Sequence, residues 1–226
     1  SPAQEWPDPP EPLSAPALPD VENSVATRYS HTMPTLFIGD NPRLEAVYEE
    51  KPSGMCVVVT HPHSLMGGDM HNNVVMTVWD TVIGLGCSAL RFNFRGVGRS
   101  EGLFDEGTGE TRDLAAALDF AGSRAVVVGY SFGSWVASRL LRERRVPCIL
   151  ISPPTALFPF PSLEGLDTWS ITGSRDQFCD VKALEAVQDR ERITVAGGVD
   201  HFWFGSEGVL PPFLAEKLEI IRPLLP

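Results

Sequence analysis

The sequence predicts an α/β fold with a doubly wound, mostly parallel sheet and an N-terminal antiparallel hairpin. Two observations support this prediction. Short apolar runs alternate with segments of helical spacing, which is typical of parallel strands joined by right-handed helical crossovers. In addition, polar or glycine-rich loops follow several of the apolar runs, at the places where strands of such a sheet end.

The predicted strands follow from short runs of apolar and β-branched residues. Residues 35–38 and 43–48 flank a turn sequence at 39–42 and predict the hairpin. The other runs are continuously apolar, as in strands that are buried on both faces. They occupy residues 55–60, 89–94, 125–128, 148–152, 168–172 and 192–195. Helices are predicted between them from helical spacing, at residues 70–83, 109–121, 135–141, 181–187 and 207–222.

The first residues differ from the rest in composition. Seven of the first twenty residues are prolines, which helices and strands exclude from their interiors. We therefore predict a proline-rich extended arm over residues 1–30 and a single domain over residues 31–226. A protein partner for the arm is not favoured, because no P-x-x-P motif with flanking basic residues is present.

Charge and cysteine usage restrict the partners and the compartment. The chain has 18 basic and 29 acidic residues and a net charge of −11, whereas nucleic acids and anionic membranes need a basic face. No apolar stretch approaches the roughly 18 residues of a membrane span. The four cysteines, Cys56, Cys87, Cys148 and Cys179, show no metal-binding spacing. We expect free thiols rather than disulfides, and therefore a cytoplasmic protein.

Residues 129–133 form the motif Gly-Tyr-Ser-Phe-Gly between an apolar run and the start of a helix. Such a turn holds its serine exposed at the carboxyl edge of a sheet, and the glycines allow neighbouring backbone to approach. Ser131 is therefore a candidate nucleophile. The amide of Phe132, at a helix N-terminus, is a candidate oxyanion donor. The alternative is an ordinary strand-to-helix turn in which Ser131 is a helix cap.

A serine nucleophile needs a base and an acid that orients the base. His201 is the one of five histidines that follows the last predicted strand and precedes the closing helix. Asp176 follows the preceding strand, so the chain order is serine, acid, histidine. Asp180 is the serious alternative acid, whereas Asp200 is adjacent to His201 in sequence.

Several segments together resemble one protein family. They are HPHSLMGGDMHNNVV, RFNFRGVGRSEG, GYSFGS, TGSRDQFCDV and GVDHFWFG, which span most of the domain. The chain resembles small members of the α/β-hydrolase superfamily near dienelactone hydrolase, which are esterase-like and have no large cap domain. Dienelactone hydrolase itself has a cysteine nucleophile, and relatives often have Asn-Lys where this chain has Asn72–Asn73, so that enzyme's substrate is not carried over.

The resemblance implies roles for individual residues. It implies Ser131 as nucleophile, His201 as base and Asp176 as acid, with no metal or organic cofactor. The loop over residues 61–68 would border the oxyanion hole, with the amide of His63 as second donor and Ser64 close behind. For the side chains of His61 and His63, and for Arg95, structural roles in their own loops are favoured.

The apolar, proline-rich segment over residues 153–166 is the predicted pocket wall. It is too short for a lid domain, so the site should be open. Its side chains Leu157, Phe158, Phe160 and Leu163 are expected to line an acyl site, and Met66 and Trp203 are expected near the entrance. Ordinary core packing is the alternative for these residues.

The expected activity is hydrolysis of small-molecule carboxylic esters or thioesters through an acyl-enzyme on Ser131. Two alternatives stay open. The same three residues would also serve a peptidase or amidase. A non-catalytic member of the fold would instead bind a protein through its surface or its arm.

Overall fold

The computed structural model describes residues 34–226. The predicted arm, residues 1–30, lies outside the described residues. Eight strands of the described part form one sheet. They are β1 (Leu36–Ile38), β2 (Leu44–Glu49), β3 (Cys56–Thr60), β4 (Ser88–Phe92), β5 (Ala125–Tyr130), β6 (Cys148–Ile151), β7 (Thr168–Gly173) and β8 (Ile193–Ala196).

The strand order is β1-β2-β4-β3-β5-β6-β7-β8. Strands β3 to β8 are parallel to one another, while β1 pairs antiparallel with β2, and β2 pairs antiparallel with β4. This confirms the predicted hairpin and the mostly parallel sheet. Because β4 and β5 lie on opposite sides of β3, the loops after β3 and β5 diverge at one edge. Such a switch point is where sheets of this kind bind ligands.

Five helices connect and cover the strands in the described part of the chain. They are α1 (Asn73–Gly84), α2 (Thr108–Ala121), α3 (Phe132–Arg144), α4 (Val181–Glu185) and α5 (Leu210–Ile221). Helix α1 packs with α5, and α2 packs with α3. Helices α2 and α3 share a buried cluster with Val58 of β3 and Val127 of β5. The residues before and after each of these valines point to the opposite face of the sheet. The continuous apolar runs are thus explained, because the sheet is covered on both faces.

The predicted and observed boundaries differ most at the helix starts. Helix α1 begins at Asn73 rather than at residue 70, because the side-chain oxygen of Asn72 accepts the Val74 amide at 3.0 Å and caps the helix. Helix α3 begins at Phe132, directly after the Ser131 turn, and not at residue 135. A short 3₁₀ turn at Glu207–Val209 precedes α5, so the closing helix starts three residues later than predicted.

The sequence also led us to expect free cysteine thiols and no membrane-spanning segment. All four cysteines are free and buried, as predicted. Among the helices of residues 34–226, none is both long and apolar enough to cross a membrane.

Candidate active site

Ser131 lies on a sharp turn between β5 and α3. Its backbone has φ 51° and ψ −120°, a conformation that side-chain-bearing residues rarely adopt. The flanking glycines make the turn possible. A Cβ at Gly129 would lie 2.8 Å from the Gly133 carbonyl oxygen, and a Cβ at Gly133 would lie 2.5 Å from the Thr60 hydroxyl. The turn therefore presses against the end of β3, and its strain is held by two packed elements.

The structure brings Ser131, His201 and Asp176 into one hydrogen-bonded chain. The distance from Ser131 Oγ to His201 Nε2 is 2.9 Å, and the distance from His201 Nδ1 to Asp176 Oδ1 is 2.8 Å. The three residues follow β5, β8 and β7, whose carboxyl ends share one edge of the sheet. Each residue is less than a tenth exposed. This geometry is the one in which imidazole accepts a proton from a hydroxyl.

The surroundings of Asp176 fix the direction of these hydrogen bonds. Its Oδ1 also accepts the amides of Phe178 and Cys179, at 3.0 and 3.2 Å, and its Oδ2 accepts the Thr172 hydroxyl at 3.1 Å. Burial opposes ionisation, but the hydrogen bond and charge of His201 lower the pKa of Asp176 below its ordinary value. An ionised carboxylate requires a proton on Nδ1, so Nε2 is the acceptor that faces Ser131.

The competing aspartates have other partners. The Asp180 carboxylate accepts the Lys182 and Ala183 amides, at 2.9 and 3.3 Å, as the cap of α4. The Asp200 carboxylate accepts the amides of the two residues after His201, at 3.0 and 3.1 Å. Of the carboxylates considered, Asp176 is the one that contacts the imidazole.

A cavity of about 510 Å³ opens onto Ser131. Its walls are formed by the loops after β3, β5, β6, β7 and β8. They comprise Pro62, His63, Met66, Gly67, Gly68, Asn72, Tyr130, Ser131, Phe132, Pro154, Leu157, Phe158, Phe178, His201 and Phe202. No Asp, Glu, Lys or Arg side chain of the described residues lines this cavity. The cavity therefore suits a neutral, largely apolar group.

The predicted pocket residues divide into two groups. Met66, Leu157 and Phe158 line the cavity. Phe160 does not, because it faces a separate groove beside Trp135. Trp203 is also placed differently from the prediction. It is fully buried, and its indole Nε1 donates to Ser152 Oγ at 2.8 Å.

The structure also removes one residue from the predicted pocket and adds two. Leu163 lies in the core and not in the cavity. Phe178 and Phe202 line the cavity but are absent from the predicted pocket. Their nearness in sequence to Asp176 and His201 was the available signal.

The loop after β3 brings His63 beside Ser131. His63 lines the cavity, and its ring lies 4.8 Å from that of Phe132. Its Nδ1 accepts the Leu65 amide at 3.2 Å, which caps a 3₁₀ turn at Ser64–Met66. Ser64 differs from expectation, because its hydroxyl is buried and does not line the cavity.

His61 and Arg95 have the structural roles favoured for them. His61 Nε2 accepts the Phe94 amide at 3.0 Å, and Nδ1 donates to the Pro62 carbonyl at 2.7 Å. Burial lowers the pKa of His61 to about 4, so the ring is neutral and joins the ends of β3 and β4. Arg95 pairs with Asp113 on α2 at 2.7 Å, which fixes the loop after β4.

The eight-stranded sheet and the strand-to-helix turn that carries Ser131 define an α/β-hydrolase architecture, and residues 34–226 contain no cap domain. The chain belongs to the alpha/beta hydrolase family, whose model matches residues 57–217. It is 34% identical over 197 residues to an uncharacterized protein of Rickettsia prowazekii. The match covers 76% of this chain and 82% of that protein.

Two solved structures have the same fold. An alpha-beta serine hydrolase homologue from Coxiella burnetii matches with a TM-score of 0.75 and 29% identity, over 84% of this chain and 99% of that one. A lidless serine hydrolase from Xanthomonas campestris matches with a TM-score of 0.72 and 27% identity, over 85% of this chain and 95% of that one. These similarities confirm the predicted fold and the absence of a large cap, and they support a hydrolase.

Proposed function

We propose that this protein is a serine hydrolase that cleaves neutral carboxylic esters or thioesters through an acyl-enzyme on Ser131. The observation that carries the proposal is the hydrogen-bonded chain from Asp176 through His201 to Ser131. Each member faces the partner that its role requires, and the serine opens onto an apolar cavity.

In the first half of the reaction, Ser131 Oγ attacks the substrate carbonyl carbon as its proton passes to His201 Nε2. The carbon–oxygen or carbon–sulfur bond then breaks, and His201 returns the proton to the leaving alcohol or thiol. Water next attacks the carbonyl carbon of the acyl-serine while His201 takes its proton. The bond from this carbon to Ser131 Oγ then breaks, and His201 returns the proton to Oγ, which releases the acid and restores Ser131. Asp176 stabilises the imidazolium in both halves and stays ionised.

The carbonyl oxygen of the substrate acquires negative charge in both halves of the reaction, so it needs hydrogen-bond donors. The amide of Phe132 is the first of α3, where helix geometry leaves it without an intrahelical partner. We assign the amide of His63 as the second donor, since both residues line the cavity beside Ser131. Two such donors act on the oxyanion more strongly than on the ground-state carbonyl.

The cavity supports an uncharged acyl group. Phe178 and Phe202 approach the His201 ring edge-on, with centroids 4.7 and 5.6 Å away, so the leaving-group side is apolar as well. A charged group here would lose its hydration without gaining a counter-ion from the lining side chains. Anionic and aminoacyl substrates are therefore expected to react poorly.

A fluorophosphonate probe tests the nucleophile. The wild type should be labelled and Ser131→Ala should not, while Ser138→Ala is the matched control. Ser138 is a buried serine within α3, and its hydroxyl donates to the Trp135 carbonyl at 2.7 Å. Equal labelling of the wild type and Ser131→Ala would contradict the proposal.

A substrate series tests the chemistry and the charge preference. Nitrophenyl butyrate should be hydrolysed at least about tenfold faster, in kcat/KM, than the succinate hemiester of similar size. Acyl thioesters should also react. Aminoacyl nitroanilides, which report amide cleavage, should not. Preferential cleavage of these amides would favour the peptidase alternative.

A further inference from the structure

Two exposed phenylalanines flank a buried tryptophan directly after His201. Phe202 is 44% exposed and Phe204 is 74% exposed, whereas Trp203 between them is fully buried. The Asp200 carboxylate accepts the amides of Phe202 and Trp203, at 3.0 and 3.1 Å, and so fixes the turn from which these side chains leave. Because the indole is anchored in the core, the residues on both sides of it face outward.

Polar contacts hold this loop in place. The Asn73 side chain donates to the Phe202 carbonyl at 3.1 Å and to the Glu207 carboxylate at 2.9 Å. The Tyr130 hydroxyl donates to the His201 carbonyl at 2.9 Å. The backbone that carries the two exposed phenylalanines is therefore preorganised, so less free energy is lost when a ligand orders their rings.

The rings of Phe178 and Phe202 form an aromatic corner beside His201. Each lies at 89° to the imidazole, with centroids 4.7 and 5.6 Å from it, and the two lie at 87° to each other with centroids 6.2 Å apart. Both rings line the cavity. Phe204 extends the corner outward, since its ring is nearly parallel to that of Phe202, at 17° and 6.4 Å. An aromatic ring in this corner can stack on one phenylalanine and meet the edge of the other.

The chemistry proposed for His201 directs one part of the substrate to this corner. As the bond from the carbonyl carbon to the leaving oxygen breaks, His201 Nε2 gives its proton to that oxygen. The leaving oxygen must therefore lie within hydrogen-bond reach of the imidazole, at about 3 Å. The carbonyl oxygen faces the amides of Phe132 and His63 instead, and the acyl group occupies the rest of the cavity. The group attached to the leaving oxygen thus meets Phe178 and Phe202.

We propose that Phe178, Phe202 and Phe204 form a leaving-group subsite that selects aromatic alcohols, or the corresponding thiols, an inference that rests on the ester hydrolysis proposed for Ser131. An aromatic pair is favoured beyond the apolar area that it buries, so the subsite should prefer an aromatic ring to a saturated ring of similar size. An exposed apolar patch that adjoins a cavity is typical of a ligand-binding groove, and here Phe204 continues the wall that Phe202 begins.

Two butyrate esters test the selection of the leaving group. Benzyl butyrate and cyclohexylmethyl butyrate form the same butyryl-enzyme, so the ratio of their kcat/KM values, divided by the ratio of their rates of alkaline hydrolysis, reports recognition of the leaving group. The wild type should favour the benzyl ester by about fivefold, and Phe202→Leu should reduce this preference to less than about twofold. Equal corrected values for the two esters in the wild type overturn the proposal, whether or not the variant folds.

Phe120→Leu is the matched control. Phe120 is 45% exposed, like Phe202, but it lies on α2, where its ring contacts that of Tyr48. The benzyl preference of Phe120→Leu should equal that of the wild type. Two outcomes contradict the subsite: an unchanged preference in Phe202→Leu, and an equal reduction in Phe120→Leu.

Other esters separate the leaving-group subsite from the acyl group. The kcat/KM ratio of benzyl butyrate to benzyl acetate depends on the acyl group, so it should be the same in the wild type and in Phe202→Leu. If this ratio changes while the benzyl preference does not, Phe202 contacts the acyl group and the assignment is wrong. Naphthylmethyl butyrate reaches further outward, so Phe204→Leu should lower its kcat/KM about threefold more than that of benzyl butyrate. Equal effects on these two esters would remove Phe204 from the subsite.

Binding of the free alcohol gives a readout that needs no activity. In NMR titrations followed by the amide resonances of Phe178 and Phe202, benzyl alcohol should bind the wild type more tightly than cyclohexylmethanol. Equal dissociation constants, or no change in these resonances with either alcohol, overturn the subsite. If the wild type hydrolyses no ester but binds benzyl alcohol as expected, the proposed function fails while the aromatic subsite is supported.

Discussion

Replacing His61 with glutamine should remove a pH-dependent part of the free energy of unfolding. His61 is fully buried at the end of β3, with both ring nitrogens hydrogen-bonded to backbone. Burial lowers its pKa from 6.5 to about 4, although the bond to the Pro62 carbonyl opposes this shift. In the unfolded chain the ring regains its ordinary pKa. The two states therefore bind different numbers of protons over this range.

The sign and size of the effect follow from these two pKa values. Between pH 6.5 and about 4, the unfolded chain binds a proton that the native protein does not. Stability is therefore complete above the unfolded pKa and is lost as the pH falls toward the folded pKa. From pH 7 to pH 4.5, this group should cost about 2 kcal/mol of unfolding free energy.

Urea denaturation at a series of pH values measures this contribution. Glutamine can still accept a hydrogen bond from the Phe94 amide but does not titrate. Between pH 7 and pH 4.5, the free energy of unfolding should therefore fall by about 2 kcal/mol more in the wild type than in His61→Gln. Carboxylates titrate in both proteins, and their contributions cancel in the difference. The exposed His71→Gln is the control and should follow the wild type. Parallel curves for wild type and His61→Gln would refute the argument.

Two further substitutions, Asp176→Asn and Gly133→Ala, each have a matched control and separate chemistry from structure. Asp176→Asn should lower kcat on esters by about 10⁴-fold through loss of tautomer control. Asp180→Asn should keep turnover within a few fold and alter stability by less than about 1 kcal/mol, since asparagine also caps helices. A large kinetic loss in Asp180→Asn alone would show that Asp176 is not the acid. Gly133→Ala should destabilise the fold in thermal melts, because its Cβ would lie 2.5 Å from the Thr60 hydroxyl. Gly84→Ala should not destabilise the fold, because the added Cβ would have no atom within 4 Å. Equal melting temperatures for Gly133→Ala and Gly84→Ala would contradict the steric argument.

The positions of Ser131, Asp176 and His201 could be predicted because each depends on local rules. A parallel sheet brings the carboxyl ends of its strands to one edge, so residues that directly follow three strands converge. The glycines around Ser131 indicate a tight turn from sequence alone, and the structure shows the close approaches that require them. The catalytic roles of Ser131, Asp176 and His201 are proposals, which the labelling and kinetic experiments test.

The pocket could be predicted only in part, because its walls are loops. Trp203 was expected near the entrance, but the turn capped by Asp200 carries its indole into the core. The partner that holds it there, Ser152, is 51 positions away in sequence. Phe202, one residue earlier, faces the cavity instead. Which of two adjacent aromatic residues turns inward depends on backbone angles that composition and spacing do not encode.

The proposed nucleophile, Ser131, and the proposed base, His201, are held by different kinds of structure. Ser131 sits between a buried strand and a buried helix, so its strained backbone is fixed by packing. His201 sits on a loop, which side chains hold instead. The Tyr130 hydroxyl donates to the His201 carbonyl at 2.9 Å, and Asn73 Nδ2 donates to the Phe202 carbonyl at 3.1 Å. Because Tyr130 is also part of the Ser131 turn, its side chain ties the His201 loop to that turn and supports the 2.9 Å contact between Ser131 Oγ and His201 Nε2.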